Sequence, residues 1–275
     1  MNPCREWSEI LRSNSGAKFW RWAYLRVDLQ WFPDQAENLL TSRLISIIPE
    51  IVILPAGTHQ NTENSLLELI NDGETSQLKK LTFAGEVPHV TPNIVAGAAM
   101  RLETLWSYLS RPQLEAVLAR LAAHQDSRLW QLRVFGKPLK ISTLDPEVLA
   151  AAFVKLETVG FDLTDGLSTG QLSALFSRIC QSQVLRLTEL YLFNKDLSLV
   201  PPEVLVGAIQ RLEIVEFGGG RMTAEQAIAI LTIVKERRLG KIKKIMIKSV
   251  EGMRSVTPSL LQEAKLNAKF QEFFI

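Results

Sequence analysis

The sequence has little cysteine, no long apolar run and almost no excess charge of one sign. Its 275 residues include two cysteines, Cys4 and Cys180, too few for the disulfide framework of a secreted domain. The longest apolar stretch, residues 45–56, is interrupted by prolines and is too short to cross a bilayer. The first residues also lack the apolar core of a signal peptide. We therefore expect a soluble cytoplasmic or nuclear protein with no membrane partner.

Charge and motifs exclude several other classes. The 31 Lys and Arg residues nearly balance 29 Asp and Glu residues, and the net charge of +2 makes nucleic acid an unlikely partner. None of the histidines, His59, His89 and His124, stands at a metal-ligand spacing, and no nucleophile or zinc-protease motif occurs. Cys180 ends an apolar helix stripe and is expected in the core. We expect no enzyme activity, no metal and no cofactor.

What the sequence does contain is a short pattern that recurs along the chain. An apolar residue is followed by two variable residues, a second apolar residue, one variable residue and a third apolar residue, as in Leu187–Leu192. A spacing of 24 to 31 residues separates successive copies and indicates a repeat architecture. The first residues of the nine copies are Trp22, Ile48, Leu78, Leu102, Leu129, Leu156, Leu187, Leu212 and Ile242.

A helix is predicted after each short strand. Apolar residues at helical spacing, such as Leu172, Leu175, Phe176 and Ile179, form one buried stripe. Similar helix starts recur at similar phases, either as an N-cap followed by proline or as a capping box. The proline starts are Thr91-Pro92, Asp145-Pro146 and Thr257-Pro258, and the boxes are Ser110 with Gln113, Ser168 with Gln171, and Thr223 with Gln226.

On this period and pattern, residues 20–270 resemble the ribonuclease-inhibitor-like and F-box-associated leucine-rich repeat proteins. The resemblance implies an α/β fold, a right-handed horseshoe-shaped solenoid with parallel strands on the concave side and helices on the convex side. We expect one repeat domain, 22–275, of about nine units including a C-terminal cap at Phe270–Ile275. The family's Asn or Cys after the third apolar position is missing, so another group, such as water, must satisfy the backbone there.

The N-terminal residues carry a second, shorter resemblance. Cys4–Leu11, Phe19-Trp20 and Tyr24–Val27 resemble the second half of an F-box, whose first half docks a ubiquitin-ligase adaptor and is missing from the residues present. We therefore predict an N-terminal helical cap over residues 1–21, as an F-box remnant. The alternative is that this helix only covers the open end of the first repeat.

The variable strand positions predict the binding face. Side chains alternate along a strand, so the third, fifth and seventh positions point away from the core. Large aromatic residues and an arginine, the types that dominate interfaces, are concentrated there. The predicted partner-binding residues are Trp106, Tyr108, Arg133, Phe135, Tyr191 and Phe193. Gly160 lies among them and would leave a hollow. The alternative is a register error of one residue, or covering loops, which would bury these rings.

Two further features permit functional and structural interpretations. Phe217–Thr223 is a glycine-rich turn before a helix, which suits either a phosphate or, more simply, a tight turn. A basic cluster near the last repeat suits either an acidic partner or a solvated helix end. The cluster comprises Arg237, Arg238, Lys241, Lys243, Lys244 and Lys248.

Together these features predict a scaffold that holds another protein. The first hypothesis is the substrate receptor of an SCF-type ubiquitin ligase, with a ligase adaptor as a second partner. The alternative is a regulator that blocks an enzyme by occlusion, as the resemblance to ribonuclease inhibitors implies.

Overall fold

The computed structural model describes residues 24–28, 48–54, 60–73, 75, 77–135, 144–160, 166–236, 238, 240–248, 250–267 and 273–274. Contacts group the chain into two compact units, Met1–Arg120 with Asp126–Leu129, and Leu121–Gln125 with Trp130–Ile275. The predicted N-terminal cap over residues 1–21, with most of its F-box-like segment, lies outside the described residues.

Strands and helices alternate in the first unit. Strands β1 to β4 lie side by side in chain order, and every pair among them is parallel. The elements are β1 (Tyr24–Asp28), β2 (Glu50–Leu54), α1 (Gln60–Asp72), β3 (Lys80–Glu86), α2 (Pro92–Arg101), β4 (Thr104–Tyr108) and α3 (Arg111–Ala123), whose last residues belong to the second unit.

The second unit repeats the same alternation. Strands β6 to β10 again form a parallel sheet in chain order, and the short β10 places the C-terminal Phe273-Phe274 backbone beside β9. The elements are β5 (Gln131–Val134), α4 (Pro146–Phe153), β6 (Thr158–Val159), α5 (Thr169–Gln181), β7 (Glu189–Phe193), α6 (Pro202–Ile209), β8 (Ile214–Gly218), α7 (Ala224–Lys235), β9 (Lys244–Lys248), a 3-10 helix (Glu251–Ser255), α8 (Pro258–Asn267) and β10 (Phe273–Phe274).

The strand register follows the predicted pattern. In the second unit the third pattern positions, Thr158, Glu189, Ile214 and Lys244, stand directly beside one another. The fourth and sixth positions of β7, Leu190 and Leu192, are buried, whereas the alternating residues Glu189, Tyr191 and Phe193 are only half-buried. The alternating α/β fold with parallel strands and its register are therefore confirmed, and a slip of one residue is excluded for these strands.

Two kinds of helix alternate along the chain. Helices α2, α4, α6 and α8 begin with proline, and α2, α4 and α6 are 8 to 10 residues long. Helices α3, α5 and α7 are 12 or 13 residues long and carry glutamine at their third position. The capping boxes at Ser168 and Thr223 are confirmed, but Thr91 makes no side-chain cap bond.

The glutamines of these boxes also satisfy the turn that precedes each proline-started helix. Gln113 donates from Nε2 to the carbonyl oxygens of Val87 and Val90, at 2.9 and 2.8 Å. Gln226 makes the equivalent bonds to Leu197 and Val200. A buried amide can supply both donors, and buried carbonyls rarely go unpaired. These side chains therefore satisfy backbone carbonyls at these turns.

In the second unit, a basic residue just before the first pattern position donates hydrogen bonds to the last carbonyl groups of a helix. Lys155 Nζ donates to the carbonyls of Leu121, Ala122 and His124 at 2.8 to 3.0 Å. Arg211 donates in the same way to carbonyls at the end of α5. The last carbonyls of a helix lack partners within the helix and attract cations. Burial, and then Arg178 and Arg186, lower the pKa of Lys155.

Two expectations about single features have clear outcomes. The Gly219-Gly220 pair has positive φ angles of 66° and 80°, and a Cβ on Gly220 would lie 2.2 Å from the Lys195 carbonyl oxygen. The Gly219 N–H donates to the Lys248 carbonyl, so the segment is a tight turn between repeats. Cys180, by contrast, is exposed rather than in the core, although its Sγ lies close to Gly207 of α6.

Among the described residues, no helix combines the length and the apolar character needed to cross a bilayer.

Candidate functional site

The predicted binding residues lie on the outward faces of both units. Trp106 and Tyr108 lie on β4 of the first unit and are half-buried. Arg133, on β5, is exposed, and Phe135 follows that strand. Tyr191 and Phe193, on β7, are half-buried. Of the six side chains, Arg133 is exposed and the five aromatic ones are half-buried.

The second unit brings four of the six residues together. They line an open hollow of about 500 Å³ on the outward sheet face, here called the face hollow. Gly160 contributes no side chain at its centre, as the sequence predicts. Its lining residues are Arg133, Val134, Phe135, Thr158, Gly160, Glu189, Tyr191 and Phe193.

Hydrogen bonds hold one wall of the face hollow in place. Tyr191 donates its hydroxyl to Oε2 of Glu189 at 3.1 Å, and the Thr158 hydroxyl donates to the same oxygen at 3.3 Å. Burial, followed by the nearby charges of Glu189 and Glu216, raises the pKa of Tyr191 to about 12. Tyr191 therefore stays protonated at neutral pH and orients the carboxylate beside it.

Phe193 depends on a glycine of the neighbouring strand. Gly218 stands beside it in the register of β7 and β8, and a Cβ there would lie 2.3 Å from the Phe193 ring. Any other residue at that position would push the ring away, since real Cβ atoms do not approach so closely. Gly218 therefore sets the position of the aromatic wall.

The first unit surrounds its ring differently. Lys80 places its Nζ 4.1 Å from the centroid of the Trp106 ring, a favourable cation–π distance. The same Nζ lies 2.8 Å from Oε1 of Glu50. A cation of the chain itself thus lies between an aromatic ring and a carboxylate on this face.

Comparison with known proteins adds no relative to this picture. No protein-family model matches the sequence, and no curated protein is significantly similar to it. The function must therefore be inferred from the residues and their geometry.

Sequence reasoning missed the two polar, non-aromatic residues Thr158 and Glu189 of the face hollow. Both occupy the third pattern position, which points outward like the fifth and seventh positions. Neither is aromatic or basic, so a search for interface residue types does not select them. A column-by-column inspection of third positions would have found the carboxylate.

The sequence analysis also missed a buried acid in the first unit. Glu63, on α1, is 1% exposed, and its Oε2 lies 2.6 Å from Nε2 of His89. Burial raises the pKa of Glu63 to about 7. Within the described ranges, no three His, Cys, Asp or Glu side chains come together as metal ligands would.

The basic cluster of the last repeat is largely paired with acids. Lys243 Nζ lies 2.5 Å from Oε2 of Glu213, and Arg238 pairs with Glu236. Lys248 lies 4.0 Å from Glu216, whereas Arg237 lies outside the described residues. These exposed pairs favour a solvated surface over an anion site.

Proposed function

We propose that this chain is a leucine-rich repeat solenoid that binds another protein on its outward sheet face, with the face hollow at the centre of the contact. The repeat period, the parallel strands and the alternating helices support this fold. The single observation that carries the function is the face hollow, which gathers Arg133, Phe135, Tyr191 and Phe193. Such residues in a partly exposed recess are typical of interface hot spots.

Binding is favoured over catalysis by the state of the titratable groups. Tyr191 keeps its proton at neutral pH and donates it to Glu189 in a fixed hydrogen bond. A general base must accept a proton from a substrate near neutral pH, and Tyr191 is not suited to that role. Tyr191 therefore suits recognition rather than base catalysis.

The ligase-receptor hypothesis and the enzyme-inhibitor alternative remain separate proposals within this function. The first depends on Cys4–Leu11 and on an adaptor that docks near them, outside the described residues. The second requires only the sheet face. Recovery of a ligase adaptor with the full chain would support the first, and a one-to-one complex with an active enzyme would support the second.

A site-specific cross-linking experiment tests the binding face. A photoreactive amino acid replaces exposed Arg133 in one variant and exposed Glu225, on α7, in a control variant. We expect discrete adducts from position 133 that disappear when Tyr191→Thr and Phe193→Thr are added. Because the rings are half-buried, the melting temperatures of these variants are compared with that of the parent. Values close to the parent's show that a loss of adducts does not come from unfolding. Equal adducts from both positions, or adducts indifferent to the ring substitutions, would show that the face is not the site.

A further inference from the structure

The inner and outer parts of the face hollow differ in charge. The half-buried carboxylate of Glu189 lies beside Tyr191, and Glu216, on the next strand, is 14% exposed. The basic groups nearby, Arg133 and Lys248, are exposed to solvent. Charges near the low-dielectric interior exert a stronger field than exposed charges, which water and salt screen. A charged group entering the hollow therefore meets negative potential at the Tyr191 wall.

The aromatic rings of that wall also favour a cation, as its negative potential does. Tyr191 and Phe193 both line the face hollow, and ring faces attract cations within about 6 Å. Glu189 receives its two hydroxyl hydrogen bonds on Oε2, and a carboxylate has about four acceptor sites. The carboxylate thus has acceptor capacity for a further donor.

The first unit already contains this combination with a cation in it. Lys80 lies against the Trp106 ring and contacts the Glu50 carboxylate. Aromatic ring and carboxylate there come from different strands of one sheet face, as they do for Tyr191 and Glu216. The protein therefore shows that an aromatic ring and a carboxylate on one sheet face accommodate a primary ammonium group.

We propose that the face hollow receives a lysine or arginine side chain of a partner protein, with its charged group beside Tyr191, Phe193 and Glu189. This inference rests on the proposed function and specifies the chemistry of the partner. A protein segment fits better than a small molecule because the recess is open, whereas small-ligand sites enclose most of the ligand. Its volume of about 500 Å³ leaves room for the side chain and its neighbours.

Arg133 forms the opposite wall of the face hollow, and its replacement distinguishes a basic from an acidic occupant. It lies on β5, the strand that precedes β6 in the chain, and its charge repels a basic side chain that enters the hollow. If the occupant were acidic, Arg133 would instead be its main contact. Replacing Arg133 therefore moves the affinity in opposite directions for the two occupants.

Peptide pools with one fixed central residue test the proposal on the full chain. Four pools of nonapeptides carry Arg, Lys, Glu or Leu at the centre and random residues elsewhere, and retention on immobilised protein is measured at low and moderate salt. The protein variants are Glu189→Gln, which preserves shape, Tyr191→Thr, Arg133→Gln and the control Glu225→Gln on α7. Circular dichroism and melting temperature confirm that each variant is folded.

We expect the Arg and Lys pools to be retained above the other two. Glu189→Gln and Tyr191→Thr should each weaken retention by roughly tenfold, the scale of a partly desolvated cation–π or charge contact. Arg133→Gln should strengthen retention of the Arg and Lys pools, because it removes a like charge from the opposite wall, and Glu225→Gln should have no effect.

Other outcomes separate this proposal from the general one. If the Glu or Leu pool is retained and this retention requires Tyr191, the proposal of a basic occupant is overturned. Protein binding at the face hollow would still be supported. Weaker retention of the Arg pool in Arg133→Gln would also overturn the proposal of a basic occupant. Equal retention of all pools by the parent and by Tyr191→Thr would overturn both proposals.

Discussion

The two units carry different groups at equivalent positions of their strands. In the first unit, Trp106 contacts Lys80 of the chain itself, and polar groups occupy core positions. In the second unit, Gly160 leaves the face hollow beside Tyr191, and the strand positions beneath it, such as Leu190 and Leu192, are fully apolar. The second unit thus combines apolar inward strand positions with an open outward face, which is an arrangement that suits a binding surface.

The polar core positions of the first unit are visible by comparison with their counterparts. Leu66, Leu67 and Ile70 of α1 match Val117, Leu118 and Leu121 of α3, which places Glu63 at the position of Leu114. Ser107 occupies the sixth pattern position, where β7 has Leu192. Stability in the first unit should therefore respond to pH and to apolar substitution in ways that the second unit should not.

The largest expected effect concerns Glu63. Its pKa in the folded protein is raised from 4.5 to about 7, so the folded state retains a proton that the unfolded state releases. This group's contribution to stability is fully present below pH 4.5 and is lost as the pH rises through about 7. The loss amounts to about 3 kcal/mol, given 1.36 kcal/mol per pKa unit.

Glu63→Gln removes this titration while keeping the size of the side chain. We expect the stability of the variant relative to the parent to increase by up to about 3 kcal/mol between pH 4.5 and pH 8, measured by denaturant unfolding. Glu225→Gln, on an exposed helix surface, is the control. A relative stability that falls over the same pH range would mean that an ion pair with His89 outweighs the cost of burial.

A smaller gain is expected at Ser107. Its side chain is fully buried, and its Oγ has no hydrogen-bond partner in the described part of the chain. Apolar residues such as Leu67, Phe83 and Leu105 line the small cavity around it. Ser107→Ala should stabilise the protein by roughly 1 kcal/mol, because a desolvated hydroxyl without a bond is costly. Unfolding in urea measures this, and a destabilised variant would indicate that the hydroxyl has a partner after all.

The sequence predicted the repeat better than it predicted the site. The strand register followed from apolar residues every two or three positions, because burial of one face specifies a strand's phase. The chemistry around Tyr191 did not follow, since Thr158 meets the Glu189 carboxylate only after β6 and β7 are aligned. Glu189 itself lies two residues before Tyr191 on the same strand, but an outward carboxylate is not an interface residue type that the pattern selects. Gln113 was recognised as a local cap, but its bonds to Val87 and Val90 span more than 20 residues. Such long-range partners are not encoded in a local pattern.

The smallest expected effect concerns Lys80, the cation that distinguishes the sheet face of the first unit from that of the second. Lys80→Met keeps the apolar stem but removes the contacts with Trp106 and Glu50. Cation–π contacts at exposed sites contribute about 0.5 to 1 kcal/mol, so the variant should lose roughly that much stability. Lys79→Met is the matched control, because Lys79 is 60% exposed and its pair with Glu103 at 3.0 Å should contribute little.

If both variants lose the same stability, the Trp106 ring does not bind its cation measurably, and the internal precedent for the face hollow is removed. If only Lys80→Met loses stability, the precedent is strengthened. In that case, the difference between the units reduces to whether the cation comes from the chain itself or, as proposed, from a partner.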